Sequence, residues 1–278
     1  IIPFTKMQGL GNDFVVFDAT REPIVITPEQ AAWISDRRFG IGCDQILLLE
    51  PAPSESVDFG YRILNSDGSE SGQCGNGARC IAVFARDNGL IDKDILRVQT
   101  ITGRMQLNML PGGEIRVDMG VPVFTPAKIP FSADTRASRY VLQVDDYGAI
   151  EFGAVSMGNP HAVIQTENVD QAPVATLGPL VEAHPRFPER VNTGFMQVVS
   201  KNAIRLRVFE RGAGETLACG SGACAAAVVG QMQGLLAEDV IVSLPGGDLR
   251  VEWAGEGEPV YMTGPATSVF RGEIDFSG

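Results

Sequence analysis

With 278 residues, the chain is long enough for one large or two medium hydrophobic cores. Apolar residues make up 44% and charged residues 20%, the balance of a folded globular protein and not of a disordered one. Acidic residues outnumber basic ones 34 to 22, which argues against a nucleic-acid partner, and no apolar run approaches the roughly 20 residues of a membrane-spanning helix.

In chain order, residues 14–17 and 61–64 are short runs rich in β-formers, bounded by Gly, Asn, Asp and Pro clusters, and predict strands. The turn Cys74-Gly75-Asn76-Gly77 then opens an apolar stretch over residues 78–87, and Asn88-Gly89 supplies a C-terminal stop, so a helix is predicted there. Residues 121–149, punctuated by Pro122, Pro126 and Pro130, predict a crossover. Beyond it the order returns: a strand over 205–209, the turn Cys219-Gly220-Ser221-Gly222, and a helix over 223–233 stopped by Gly234.

The recurrence is close to a fixed offset. Cys74-Gly75 matches Cys219-Gly220 at 145 residues (219 − 74), and Arg62 and Glu70 match Arg207 and Glu215 at the same spacing. Gly11-Asn12 matches Gly158-Asn159 at 147 (158 − 11), and Gly113-Glu114 matches Gly257-Glu258 at 144 (257 − 113). Two related domains are expected, 1–119 and 120–264, with the tail 265–278 returning to complete the first. The fold class is α+β: two pseudo-twofold-related domains, each a mixed or antiparallel sheet wrapped around a central helix.

Five cysteines scattered along the chain do not make a disulfide framework, and no secretory leader is visible at Ile1, so a cytoplasmic location is expected. Cys74 and Cys219 alone among them are duplicated. Inverting an amino-acid α-carbon requires removing a proton from one face and returning one to the other, hence two acid/base groups. A thiol suits the task, because its pKa of about 8.5 lies near working pH and falls at a helix N-terminus. The glycines that follow each thiol let backbone N–H groups approach an anion, so both turns are expected to hold the substrate carboxylate. Cys43, Cys80 and Cys224 have no duplicate and are assigned to packing. A zinc site using Cys74, Cys80, Cys219 and Cys224 lacks the short-knuckle spacing, so no metal is expected; a reversible Cys74–Cys219 disulfide fits the sequence better. None of the four lysines lies in a motif, which disfavours a pyridoxal Schiff base.

The full series of motifs is more specific than any one turn. Gly-Leu-Gly-Asn-Asp-Phe (9–14), Gly-Cys-Asp-Gln (42–45), Asn-Ser-Asp-Gly (65–68), Cys-Gly-Asn-Gly-Ala-Arg-Cys (74–80), Gly-Asn-Pro-His (158–161), Asn-Thr-Gly (192–194) and the run from Glu210 to Ala225 resemble the diaminopimelate epimerase family in order and spacing. That resemblance implies catalytic thiols at Cys74 and Cys219, the first acting on the L,L isomer and the second on the meso isomer. It implies carboxylate-binding amides at Gly75, Asn76, Gly220 and Ser221. Asn12, Gln45, Asn65, Asn159, Asn192, Glu210 and Arg211 would orient the ammonium groups and the distal carboxylate, with His161 as a possible auxiliary. It also implies a homodimer, no cofactor, and a place in lysine and peptidoglycan-precursor biosynthesis. Two readings stay beside these roles: Asn12 and Asn159 also suit Gly-Asn turns as turn formers, and a proline or hydroxyproline racemase would use the same two thiols. Such a racemase would give the charged pair Glu210-Arg211, which replaces Asn65-Ser66 of the first half, nothing to bind.

Overall fold

Residues 14–17 and 46–49 are buried without alternation, the pattern of strands covered on both faces. In the computed structural model, which describes residues 1–72 and 74–276, the chain divides into two units, Ile1–Asp118 with Thr263–Gly278, and Met119–Met262. The first runs β1 (Ile2–Gly9), β2 (Asn12–Asp18), α1 (Pro28–Ser35), β3 (Gln45–Pro51), β4 (Phe59–Asn65), β5 (Glu70–Ser71), α2 (Gly75–Asp87), β6 (Ile95–Thr100), β7 (Gly103–Met109) and β8 (Ile115–Asp118). The second runs β9 (Tyr140–Val144), β10 (Gly148–Ser156), β11 (Pro160–Gln165), α3 (Val174–Glu182), β12 (Asn192–Ser200), β13 (Ala203–Glu210), β14 (Gly214–Thr216), α4 (Gly220–Met232), β15 (Asp239–Leu244), β16 (Gly247–Trp253) and β17 (Val260–Gly264). The last strand, β18 (Thr267–Ile274), pairs antiparallel with β1.

The two units repeat each other pairing by pairing. In the first, β1–β2 is antiparallel, β2–β3 parallel, β3–β4 antiparallel and β4–β6 parallel. In the second, β10–β11, β11–β12, β12–β13 and β13–β15 follow the same alternation. β9 pairs with β10 as β18 pairs with β1. Each unit therefore includes a strand that follows the other unit's final strand in sequence.

Each sheet lies between two helices, where the sequence predicts one. Ile46 and Leu48 of β3 pack with Ala31 and Ile34 of α1, while Leu47, pointing the other way, lies against Gly77 of α2. In the second unit α3 contributes Val174, Leu177 and Val181 to a cluster with Phe131, Phe152, Phe187 and Phe195, and α4 lies against β10 to β13. The supposed crossover also holds regular structure: β9 and the start of β10 fall inside residues 121–149. No helix among the described residues is long and apolar enough to cross a membrane.

Candidate active site

Both duplicated cysteines are helix N-caps, so α2 and α4 begin three residues earlier than the apolar pattern predicts. Cys74 has extended backbone (φ −141°, ψ 107°), and its sulfur accepts the Gly77 N–H at 3.3 Å. Cys219 repeats this with φ −117°, ψ 106° and the Gly222 N–H at 3.4 Å. A sulfur in this position faces the positive end of the helix dipole, which favours its thiolate form. Gly75 and Asn76, and Gly220 and Ser221, are the first two residues of the helices, where backbone N–H groups have no carbonyl four residues earlier inside the helix. Such termini are ready-made for a carboxylate. Gly77 and Gly222 have a separate reason to be glycine. A Cβ on Gly77 would lie 2.4 Å from Tyr61 Oη, and one on Gly222 would lie 3.0 Å from Val208 Cγ2, so the sheet leaves no room for a side chain.

Around Cys74 the side chains are amides. The hairpin between β1 and β2 turns on Leu10 and Gly11, both with positive φ (57° and 86°), which delivers Asn12 at the head of β2. Asn12 Nδ2 donates to Asp44 Oδ2 at 2.8 Å, so its Oδ1 is turned to accept from Asn76 Nδ2 at 3.2 Å and from the Cys74 thiol at 3.8 Å. Asp44 is thus the residue that sets which way this amide faces. The strand heads are pinned in turn by Asp13, which takes a two-pronged hydrogen bond from Arg37 and an ion pair from the buried Lys6. Burial raises the Asp13 pKa, but the hydrogen bonds from Arg37 and Lys6 outweigh it and hold the group at about 2. Gln45 and Asn65 face each other across β3 and β4, with Gln45 Nε2 donating to Asn65 Oδ1 at 2.9 Å. Asn65 in turn donates to Ser69 Oγ.

Around Cys219 a charge replaces the amide. The Cys219 thiol donates to Glu210 Oε2 at 3.1 Å, while the other carboxylate oxygen accepts from Thr216 Oγ1. Burial, and then the Glu210 charge, push the Cys219 thiol well above its usual range, so its resting form is protonated. Ser221 Oγ lies 3.6 Å from the sulfur and accepts from Asn159 Nδ2 at 3.3 Å. Asn159 Oδ1 is left for His161 Nε2 at 2.9 Å, which fixes the Nε2–H tautomer.

His161 is 1% exposed, and burial together with the Arg211 charge lowers its pKa from 6.5 to about 3. It is a neutral ring holding Asn159. Between pH 6.5 and 3 the unfolded chain binds a proton at this ring that the folded protein does not. Stability from His161 is therefore present above pH 6.5 and lost on acidification, by about 2 kcal/mol at pH 5. Urea unfolding at pH 7.5 and pH 5 should show that loss in the wild type and not in His161→Gln; equal pH dependence in both would contradict the assignment.

Arg211 sits in the turn that joins β13 to β14. Its backbone N–H donates to Asn192 Oδ1 at 2.9 Å, and one guanidinium nitrogen donates to Glu189 O at 3.0 Å. Asn192 Nδ2 is given to Pro160 O, so both ends of this buried amide are engaged with backbone. Within the first unit the structure thus joins Cys74, Asn12 and Asn76, with Gln45–Asn65 as a separate pair. Within the second it joins Cys219, Glu210, Ser221, Asn159 and His161, and links Asn192 to Arg211. Asp44, Asp13 and Thr216 belong to this machinery; they lie within the motifs 42–45, 9–14 and 210–225 but were not singled out by the sequence, and Tyr61, which crowds Gly77, lies outside every motif. Cys80 and Cys224 are fully buried within α2 and α4, and burial raises the Cys80 pKa to about 12. Among the described residues no group of three or more His, Cys, Asp or Glu side chains is placed to hold a metal ion.

A family model described as diaminopimelate epimerase matches residues 4–125 and 153–269. The diaminopimelate epimerase of Thioalkalivibrio sulfidiphilus is 59% identical over 276 residues, 99% of each chain. Among solved structures, a predicted epimerase from Pseudomonas aeruginosa superposes with a TM-score of 0.70 at 18% identity, covering 100% of both chains. A probable proline racemase from Agrobacterium radiobacter K84 gives a TM-score of 0.69 at 16% identity, covering 100% of this chain and 94% of its own. At such identities these two share the fold. The family model and the 59% identical relative reach further, and with motifs, fold and cysteine caps agreeing, the chain belongs to the diaminopimelate epimerase family.

Proposed function

We propose that this protein interconverts L,L- and meso-diaminopimelate by proton transfer between two cysteines, without a cofactor. The observation that carries the reading is the pair of N-capping thiols, one surrounded by amides and the other hydrogen-bonded to a carboxylate. In the L,L to meso direction the Cys74 thiolate takes the α-proton, breaking C–H and forming S–H. The Cys219 thiol gives its own proton to the opposite face, and its sulfur is left as thiolate. The raised pKa of Cys219 supports the acid role in this direction. Charge that builds on the α-carboxylate is met by the first-turn amides of Gly75 and Asn76 and of Gly220 and Ser221, which act most strongly when that charge is largest.

The rest of the substrate accounts for the asymmetry between the halves. Arg211 would take the distal carboxylate, with Asn192 acting through its turn; Asn12, Gln45, Asn65, Asn159 and Glu210 would orient the two ammonium groups. A proline-type substrate would leave Arg211 without a partner. We assign the enzyme to the cytoplasm and to lysine and peptidoglycan-precursor synthesis. We also assign it to a homodimer, for which the exposed Val269 and Phe270 of β18 offer an apolar face.

The test is incubation of the reduced enzyme with L,L-diaminopimelate in deuterium oxide, read by NMR. Meso product carrying deuterium at the inverted carbon, with no added pyridoxal phosphate, is the expected result. Inversion that retains protium would rule out exchange through thiols, and no inversion would sink the activity itself.

A further inference from the structure

Glu182 ends helix α3, where its carboxylate faces the negative end of the helix dipole. It is also only 7% exposed. Neither helix propensity nor solvation explains a charge there, so the explanation must come from its partners. Oε1 accepts the Gly212 backbone N–H at 2.8 Å, with Arg190 Nη1 at 3.5 Å. Gly212 is the third residue of a turn in which Ala213 N–H returns to Glu210 O at 3.1 Å, and its φ of +76° is the value a type II turn requires. The N–H that Glu182 receives is therefore that of the central Arg211–Gly212 peptide, whose orientation distinguishes type II from type I. Asn192 holds the preceding N–H, of Arg211, at 2.9 Å. One residue farther back, Glu210 bonds Cys219.

We infer that Glu182 is a specificity-determining positioning residue: it locks the Arg211–Gly212 peptide in one orientation and so aims Arg211 at the distal carboxylate. The inference rests on the reading that Arg211 binds that carboxylate. Glu182 touches neither Cys219 nor Glu210, so the loss should fall on substrate binding more than on proton transfer.

The experiment compares KM and kcat for L,L-diaminopimelate in Glu182→Leu, Arg211→Met and the double variant, with circular dichroism to confirm folding. Glu182→Leu should raise KM by about 10- to 30-fold with kcat within about 3-fold, the scale of one lost charge-assisted hydrogen bond. In the Arg211→Met background the same change should add nothing, because the residue it positions is gone. Glu182→Gln, which keeps an acceptor oxygen, should restore most of the affinity, and Glu182→Asp, whose acceptor is drawn back, should not. This second pair decides the matter if the leucine variant does not fold. An unchanged KM in Arg211→Met would overturn the distal-carboxylate reading and this inference with it. A raised KM in Arg211→Met, together with an unchanged KM in Glu182→Leu, a full additive penalty in the double variant, or an aspartate variant tighter than the glutamine one, would overturn this inference alone.

Discussion

Cys74→Ala and Cys219→Ala are each expected to abolish epimerisation, with kcat down by at least about 10⁴-fold, the upper range for a single positioned acid or base. The two variants should nevertheless differ in what remains. In Cys219→Ala the Cys74 sulfur still has its helix N-terminus and the Gly77 N–H. It can therefore take the α-proton of the L,L isomer and return a deuteron to the same face. Slow exchange without inversion is the expected signature, read by NMR in deuterium oxide. Cys74→Ala should show the mirror behaviour with the meso isomer at its other configuration. Full activity in either variant would rule out a two-base mechanism, whereas loss of exchange together with inversion would mean that neither thiol works alone.

Glu210→Gln should lower kcat/KM by about 10²-fold, because the Cys219 thiol keeps a hydrogen-bond acceptor but loses the negative charge beside it, which the substrate ammonium loses as well. The factor should be equal in both directions of the reaction. The ratio of the two kcat/KM values is fixed by the equilibrium between the isomers, which no substitution can change. The pH profile carries the residue-specific information. The Glu210 charge helps hold the Cys219 pKa up, so neutralising it lowers that pKa. With L,L substrate, Cys219 must be protonated, and the alkaline limb of kcat/KM should therefore move to lower pH in the variant. A limb that stays in place, or moves up, would separate Glu210 from the titration of Cys219.

The motifs around both thiols were readable because they record backbone constraints that few residues meet. Gly77 and Gly222 mark close approach of helix to sheet, and their spacing from the cysteines repeats because the caps repeat. Helix α1 did announce itself locally: Thr27-Pro28-Glu29-Gln30 forms a capping box with proline at the first turn. Its eight residues bury only Ala31, Ile34 and Ser35, too few to establish a period of 3.6. Helix α3 was hidden by Pro173 at its cap and Pro179 inside it, both of which read as breakers. Strand β9 alternates strictly, with Tyr140, Leu142 and Val144 buried and Val141 and Gln143 exposed, but the prolines before it drew the whole segment into a loop. The residues that aim others were the hardest to read. Asp44 meets Asn12, and Glu182 meets Gly212, across separations that only strand register and helix placement bring together.

The exchanged strands also bear on how the chain comes to be folded. β1 leaves the ribosome ahead of every other described strand, yet its antiparallel partner β18 emerges only after the whole of Met119–Met262. β9 and β10, by contrast, are neighbours in sequence and can pair as soon as they appear. The N-terminal sheet must therefore wait with one side of β1 unpaired, a contact of high sequence separation that carries a large loop-closure cost. In a chain made from its N-terminus, the unit begun first is the one completed last.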